Sequence, residues 1–340
     1  MKRFIVAVCT ALSAWAVAGL NEAKAQYGVG PVRIILPFSP GGAIDAIARM
    51  VAERITLATG KSAVVENVTG ASGHIGMRLV RDAKPDGSVL LINPASPMIL
   101  HEHFFGDKLT FNPFTDFAPI TMAATSDYAI AVAKNVPATN VKELQAWLKA
   151  DPKRASYGTP GAGALTHFLG LEFGRIIGVE MEHVPYRGSP PALNDLAAGQ
   201  LPIAALTTSE FTQHHAAGSI RIIGTFTDGP SPFVSGVPTL KEQGVNLEAL
   251  GWYAFFAPAK TPSPVVARLN TEIASIIRSP EVRDLLGRAG MDASEIRKTL
   301  REMRASSARV RSVGRRTQMT VADFEMSPVS KRWLAAPHTM

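Results

Sequence analysis

Apolar and polar positions along this chain switch repeatedly between a strand-like and a helix-like period, and the first switch sets the pattern. Val32, Ile34, Ile35 and Leu36 form a short, largely β-branched run, which predicts a strand. The chain then turns through Pro37-Phe38-Ser39-Pro40-Gly41-Gly42. Beyond the turn, Ile44, Ile47, Ala48 and Val51 recur at the spacing of one helix face, and Gly60 closes that run. The unit is therefore strand, glycine-rich loop, helix.

The same alternation continues. A strand is expected over 62–68, a loop of small residues over 69–76, a helix to about residue 83, a strand over 88–92 and a polar loop over 93–97. Residues 100–117 read as a long aromatic connection broken by prolines. Strands at 118–122 and 128–132 carry the chain into another lobe, followed by a helix over 141–149 with Asn140 as its N-cap. There the opening pattern recurs: a strand at 155–158, the loop Thr159-Pro160-Gly161-Ala162-Gly163, then a helix over 165–177. Strands at 179–186, 201–206 and 220–225 alternate with helices at 192–198 and 211–217, and a short helix opens at 237 and ends at Gly244. A strand at 252–257 returns to the first lobe. A last helix starts at Ser263-Pro264, with Val266, Leu269, Ile273, Ile276 and Ile277 as its stripe. Alternation over so long a stretch implies α/β layers with mostly parallel sheets.

The two glycine loops carry the candidate chemistry. Adjacent glycines let backbone N–H groups approach a ligand, and a helix N-terminus adds unpaired donors and a partial positive charge. Such a loop can hold an anion without lysine or arginine. Asp45, in the first turn after the first loop, can bond back to loop N–H groups, as brace or as plain cap. Ligands of open α/β sheets sit beyond the carboxyl ends of the strands, so two lobes with facing strand ends would form a cleft that grips a carboxylate from both sides.

Composition narrows the classes. Met1-Lys2-Arg3, an apolar stretch over 4–20 and Ala23-Lys24-Ala25 read as a signal peptide over 1–25, with periplasmic export. The single cysteine, Cys9, falls inside it, so a mature chain would hold no disulfide, thiol nucleophile or cysteine metal cluster. The formal charge of +7 comes from the signal and from a basic end that includes Arg297, Lys298, Arg301, Arg304, Arg309, Arg311, Arg315 and Arg316. The body between is nearly neutral, which speaks against nucleic acid. His101-Glu102-His103 and His214-His215 lack metal-ligand spacing and read as surface histidines. Ser72 is followed at position 74 by His, so it is no nucleophile elbow. Thr166 stands where a dinucleotide fingerprint starting at Gly161 needs Gly or Ala. Arg187 reads equally well as a salt bridge to a ligand carboxylate or as a solvated turn residue.

Six ordered blocks then point to a family. They are P-F-S-P-G-G-A-I-D, V-E-N-V-T-G-A-S-G-H-I-G, S-Y-G-T-P-G-A-G-A-L-T-H-F-L-G-L-E-F, V-P-Y-R-G-S-P-P-A-L-N-D-L-A-A-G-Q, V-P-T-L-K-E-Q-G and G-W-Y-A-F-F-A-P-A-K-T-P. Their order resembles the Bug family, the periplasmic receptors of tripartite tricarboxylate transporters, from about Val32 to Asp292. The resemblance implies an α/β fold like that of type II periplasmic binding proteins, with two mixed-sheet lobes joined by two hinge crossings. Lobe 1 would take residues 26–127 and 250–293, lobe 2 residues 128–249, with hinges near 126–130 and 250–253. It implies a receptor, not an enzyme, that binds a small organic carboxylate or acidic amino acid without cofactor or metal. Partners would be membrane transporter subunits or, in an alternative, a sensor kinase, with the receptor itself a monomer. Phe38, Ser39, Gly41, Gly42, Gly161, Ala162 and Gly163 would clamp a carboxylate and Asp45 would brace the first loop. Ser72, Ser96, Thr159, His167 and Thr207 would line the cleft. Two short segments depart from the family pattern, Gly70-Ala71-Ser72-Gly73 and Leu201-Pro202-Ile203, as does the basic tail over 294–340, expected to be an exposed, partly helical end without function, with binding to a polyanion or a membrane surface as the alternative. A hydrolase or isomerase on the same lobes would need a base with a nucleophile or metal, and no such constellation is visible.

Overall fold

A computed structural model describes residues 30–288 and 290–292. The expected signal peptide, Cys9 and the basic tail over 294–340 lie outside the described residues. Nine strands, β1 (Val32–Leu36), β2 (Ala63–Asn67), β3 (Val89–Pro94), β4 (Phe117–Ala133), β5 (Ser156–Thr159), β6 (Glu182–Pro185), β7 (Ile203–Thr207), β8 (Ile220–Thr225) and β9 (Leu250–Pro258), join in the order β2-β1-β3-β9-β4-β7-β5-β6, with β8 also on β4. β1 (Val32–Leu36) pairs in parallel with β2 (Ala63–Asn67) and β3 (Val89–Pro94). In the other group β5 (Ser156–Thr159) pairs in parallel with β6 (Glu182–Pro185) and β7 (Ile203–Thr207). Between them run two long antiparallel strands, β4 (Phe117–Ala133) and β9 (Leu250–Pro258).

β4 is the main departure from the sequence reading, which expected two strands here. It is one strand of 17 residues. Nothing in Ala123-Ala124-Thr125-Ser126-Asp127 breaks a strand, so extension continues, and register shifts at Pro119/Thr121, Met122/Ala124 and Ile130/Ala131 absorb the twist. Its partner changes midway. Phe117 to Asp127 pair with β9, and Asp127 faces Leu250. From Tyr128 onward the strand pairs with β7 and with β8 (Ile220–Thr225), Tyr128 facing Thr207. The sheet thereby divides into two mixed groups, the two lobes of the fold.

Helices cover the sheet. α1 (Ala43–Thr59) buries Ile44, Ile47, Ala48, Val51 and Ile55, the face expected from the spacing, and ends at Gly60 in the left-handed conformation. It packs with Ile34 and Leu36 of β1, Phe255 of β9, and Leu269, Ile273 and Ile277 of the late helix Ser263–Arg278. Residues 95–97, expected as loop, form α3 (Ala95–Ile99), one turn after α2 (His74–Arg81) and β3. Pro97 fits there because the first turn of a helix leaves its N–H groups unpaired. The connection over 100–117 contains α4 (His101–Phe105), and α5 (Val141–Ala150) follows β4 with Asn140 as its N-cap. The short helix expected after residue 237 is only a set of turns. Thr239 and Glu242 close a reciprocal cap there, Glu242 N–H to Thr239 Oγ1 at 3.0 Å and Thr239 N–H to Glu242 Oε2 at 2.8 Å, but Gly244 follows before a second turn can form.

At the crossing, β9 comes so close to β4 that a Cβ on Gly251 would lie 2.1 Å from Tyr128 Oη. Gly251→Ala is therefore expected to destabilise the protein by about 1–3 kcal/mol through overpacking. Equilibrium unfolding checks this, and an unchanged midpoint would show that Tyr128 can swing aside freely.

Candidate functional site

The first glycine loop is built as a braced platform. Gly41 takes φ 90, Gly42 is the extended N-cap residue of α1, and the N-cap position has no side-chain bond. Asp45 supplies the support instead. Its Oδ2 accepts the Gly41 N–H at 3.0 Å and the Arg49 Nε–H at 2.8 Å, while Oδ1 accepts from Asn67 Nδ2 at 3.0 Å. Asn67 also donates to the Phe38 carbonyl at 3.1 Å. Burial by itself disfavours the Asp45 carboxylate, but the bonds from Arg49, Asn67 and Gly41 together outweigh it and hold the group below its ordinary range. Arg49 and Asn67 complete a brace that the sequence showed only through Asp45.

The second glycine loop leads into α6 (Leu165–Ile177), which begins after Ala164. Thr159 and His167 lie behind this loop, not in front of it. Thr159 Oγ1 sits 2.6 Å from His183 Nε2, His167 Nδ1 accepts the Gly163 N–H at 3.3 Å, and the His167 and His183 rings stack with centroids 3.7 Å apart. Gly163 is packed against Phe104, Phe105 and His101.

Between the lobes lies a cavity of about 70 Å³. Of the residues expected at the site, Phe38, Ser39, Gly42, Ser72, Ser96, Gly161, Ala162 and Thr207 line it. Gly41, Asp45, Thr159, Gly163 and His167 do not, and act on the loops from outside the cavity wall. The structure adds Tyr128, Tyr253, His101, Thr166, Ser189 and Glu210 to the lining. Ser72 is held at φ 55, next to Ala71 at φ 46, a left-handed pair unusual for residues other than glycine. The two lobes meet at the rim, where the Ser39 N–H donates to the Arg187 carbonyl at 3.1 Å and the Ser39 hydroxyl donates to the same oxygen. Arg187 thus takes part through its backbone, and its side chain is not in the lining.

No lysine or arginine lines the cavity, and its one acidic residue is Glu210. Glu210 belongs to α8 (Thr208–Ala216), which follows β7 and the helix α7 (Ser189–Ala197). It accepts from Thr207 Oγ1 at 2.9 Å. Burial raises its pKa, and hydrogen bonds from Ser189, Thr207 and the Ala43 N–H offset part of that rise. A Cβ on Gly42 would stand 3.2 Å from Glu210 Oε1. The start of α1 therefore already faces a carboxylate of the protein.

The histidines expected at the surface divide. His101 is buried in the cavity wall, and its Nδ1 lies 2.9 Å from His74 Nε2. Burial holds both rings below their ordinary range, His74 at about 4. His214 and His215 are half-buried on α8, His214 Nδ1 at 3.0 Å from Ser219 Oγ, and His215 Nδ1 accepting the Ile222 N–H at 3.3 Å. Among the described residues no group of three or more His, Cys, Asp or Glu is placed to hold a metal ion.

The model of the tripartite tricarboxylate transporter family receptor matches residues 47–312, beginning inside α1 and running past the described residues. The UPF0065 protein in the tcbD-tcbE intergenic region of Pseudomonas sp. (strain P51) is 33% identical over 263 residues, 77% of this chain and 78% of that protein. The structure of R. palustris Rpa4515 with adipate superposes with a TM-score of 0.80 at 29% identity, covering 85% of this chain and 98% of that one. The periplasmic binding protein BugD gives 0.75 at 28% identity, over 85% of this chain and 96% of its own.

Two outcomes follow from the braces behind the site. Asp45→Ala should cost about 1–3 kcal/mol at neutral pH, because the hydrogen bonds that Gly41, Arg49 and Asn67 donate to a buried, charged acceptor are lost. Since the Asp45 pKa is lowered on folding, its stabilisation is present above the unfolded value and fades as pH falls through the folded one. Urea unfolding of both proteins at about pH 7 and about pH 3 should show the gap shrink in acid. The buried histidines act at higher pH. His167 is held at about 3 by burial and His74 at about 4, so below about 6.5 the unfolded chain binds protons that the folded chain refuses. Stability should fall as pH drops from about 6.5 toward 4, and His167→Asn should flatten the slope measured by thermal unfolding.

Proposed function

This chain belongs to the tripartite tricarboxylate transporter receptor family, and on that premise we propose that it captures a small carboxylate between its lobes and presents it to a membrane transporter. The family and the fold are those of solute-binding proteins. The observation that carries the reading is the cavity itself. It is lined by residues of both lobes, takes backbone from both glycine loops, and adds serine and threonine hydroxyls where a charged ligand needs donors. Binding of adipate by Rpa4515 supports a carboxylate as the ligand class.

Closure supplies the mechanism. A ligand that touches Ser72 and Ser96 on one side and Gly161 and Thr207 on the other favours the closed form by contacts that the open form lacks. The change of partner at Asp127/Tyr128, opposite Leu250, supports lobes of 26–127 with 250–293 and of 128–249, and hinges at 126–130 and 250–253. Closed lobes joined at Ser39 and Arg187 give a transporter one continuous surface to recognise. Export to the periplasm rests on the sequence of residues 1–25. No helix among the described residues is long and apolar enough to cross a membrane.

A thermal-shift screen of the mature protein against mono-, di- and tricarboxylates, amino acids and aromatic acids tests the reading. A ligand at a hundred times its Kd should stabilise by about 2.7 kcal/mol. Gly161→Asp should abolish that shift while leaving the ligand-free melt in place, because a Cβ at Gly161 meets only the Tyr186 carbonyl, at 3.7 Å, and the substitution adds a negative charge at a residue that lines the cavity. A ligand shift that survives Gly161→Asp would remove the second loop from the site.

A further inference from the structure

The cavity is chemically lopsided. At one place it presents donors without an acceptor. Thr166 is 2% exposed, lies in the first turn of α6, lines the cavity, and its Oγ1 has no hydrogen-bond partner. A buried hydroxyl left unpaired is costly unless a ligand completes it. Beside it are the open N–H groups at the start of a 13-residue helix. This is a place for a carboxylate.

Elsewhere in the same wall the cavity presents an acceptor without a counter-charge. Glu210 has hydroxyl and backbone donors around it, but no lysine or arginine lines the cavity with it. A purely anionic ligand would bring further negative charge into this small enclosure, and like charges at short range resist joint ionisation. A ligand cation removes the conflict. It would replace the water that burial has taken from Glu210 and make a charge-assisted bond with it. The cavity is small as well, at about 70 Å³.

We propose that the ligand is a compact amino-carboxylate zwitterion, its carboxylate held at the start of α6 with Thr166 and its ammonium read by Glu210. This rests on the receptor reading above and narrows it, making Glu210 the residue that separates amino acids from the corresponding plain acids. It also gives the cavity net neutrality when loaded, which suits a wall of tyrosine, proline and phenylalanine.

Titration calorimetry on matched probes tests the assignment: L-alanine against propionate, 4-aminobutyrate against butyrate, L-aspartate against succinate, and L-glutamate against glutarate. In at least one pair the amino compound should bind at least tenfold more tightly. Glu210→Gln, which keeps size and loses charge, should cut that preference below threefold. The inference is overturned if the plain acid binds as well as its amino partner in every pair, or if Glu210→Gln leaves the preference intact. In either case carboxylate binding persists and the receptor reading stands. Binding only of larger acids from the screen would likewise overturn the zwitterion alone, whereas absence of binding by any carboxylate would overturn both. Should Glu210→Gln fail to fold, the wild-type ratios decide by themselves.

Discussion

One strand has to serve two sheets. β4 hydrogen-bonds to β9 as far as Asp127 and to β7 and β8 from Tyr128, so both lobes hang on one continuous ladder. Breaking it would leave a row of backbone groups without partners in a region that is buried on both sides. The same constraint places the site. Tyr128, the first residue after the change of partner, lines the cavity together with Tyr253 of the return strand and Thr207, which faces Tyr128 across the sheet. Crossing and cavity therefore share side chains, and any opening of the lobes must move the cavity wall.

Around that axis the protein separates support from contact. Asp45 with Arg49 and Asn67 shapes the first loop, and Thr159, His167 and His183 shape the second, in both cases from behind. Apart from Glu210 and His101, the cavity is left to backbone, small hydroxyl residues, prolines and other apolar or aromatic side chains. Neutral buried histidines belong to the same scheme, filling polar space without adding charge.

Glu210 alters what the glycine loops mean. A helix N-terminus is an anion site in general, but α1 meets an acidic side chain from the opposite lobe. The two helix starts that look alike in sequence are thus unlike in the folded protein: one faces a protein carboxylate, the other an unpartnered threonine hydroxyl. That asymmetry gives the cavity a direction.

The sequence by itself determined the repeating strand–loop–helix order, the buried face of α1 and its end at Gly60, and the two glycine loops, and it narrowed Asp45 to a brace or a plain cap. Each rests on periodicity or turn chemistry within a few residues, where local sterics decide the outcome. Eight of the residues expected at the site do line the cavity, because loops after parallel strands necessarily gather at one sheet edge. Only the tertiary structure decided that β4 is a single strand, since no local signal marks a change of partner. It alone drew Thr159 and His167 behind their loop, joined His101 to His74, and turned Glu210 and Thr166 toward a common space. Those outcomes depend on which distant segments pack together, and a lone histidine or glutamate carries no trace of its eventual neighbours until the lobes have closed around it.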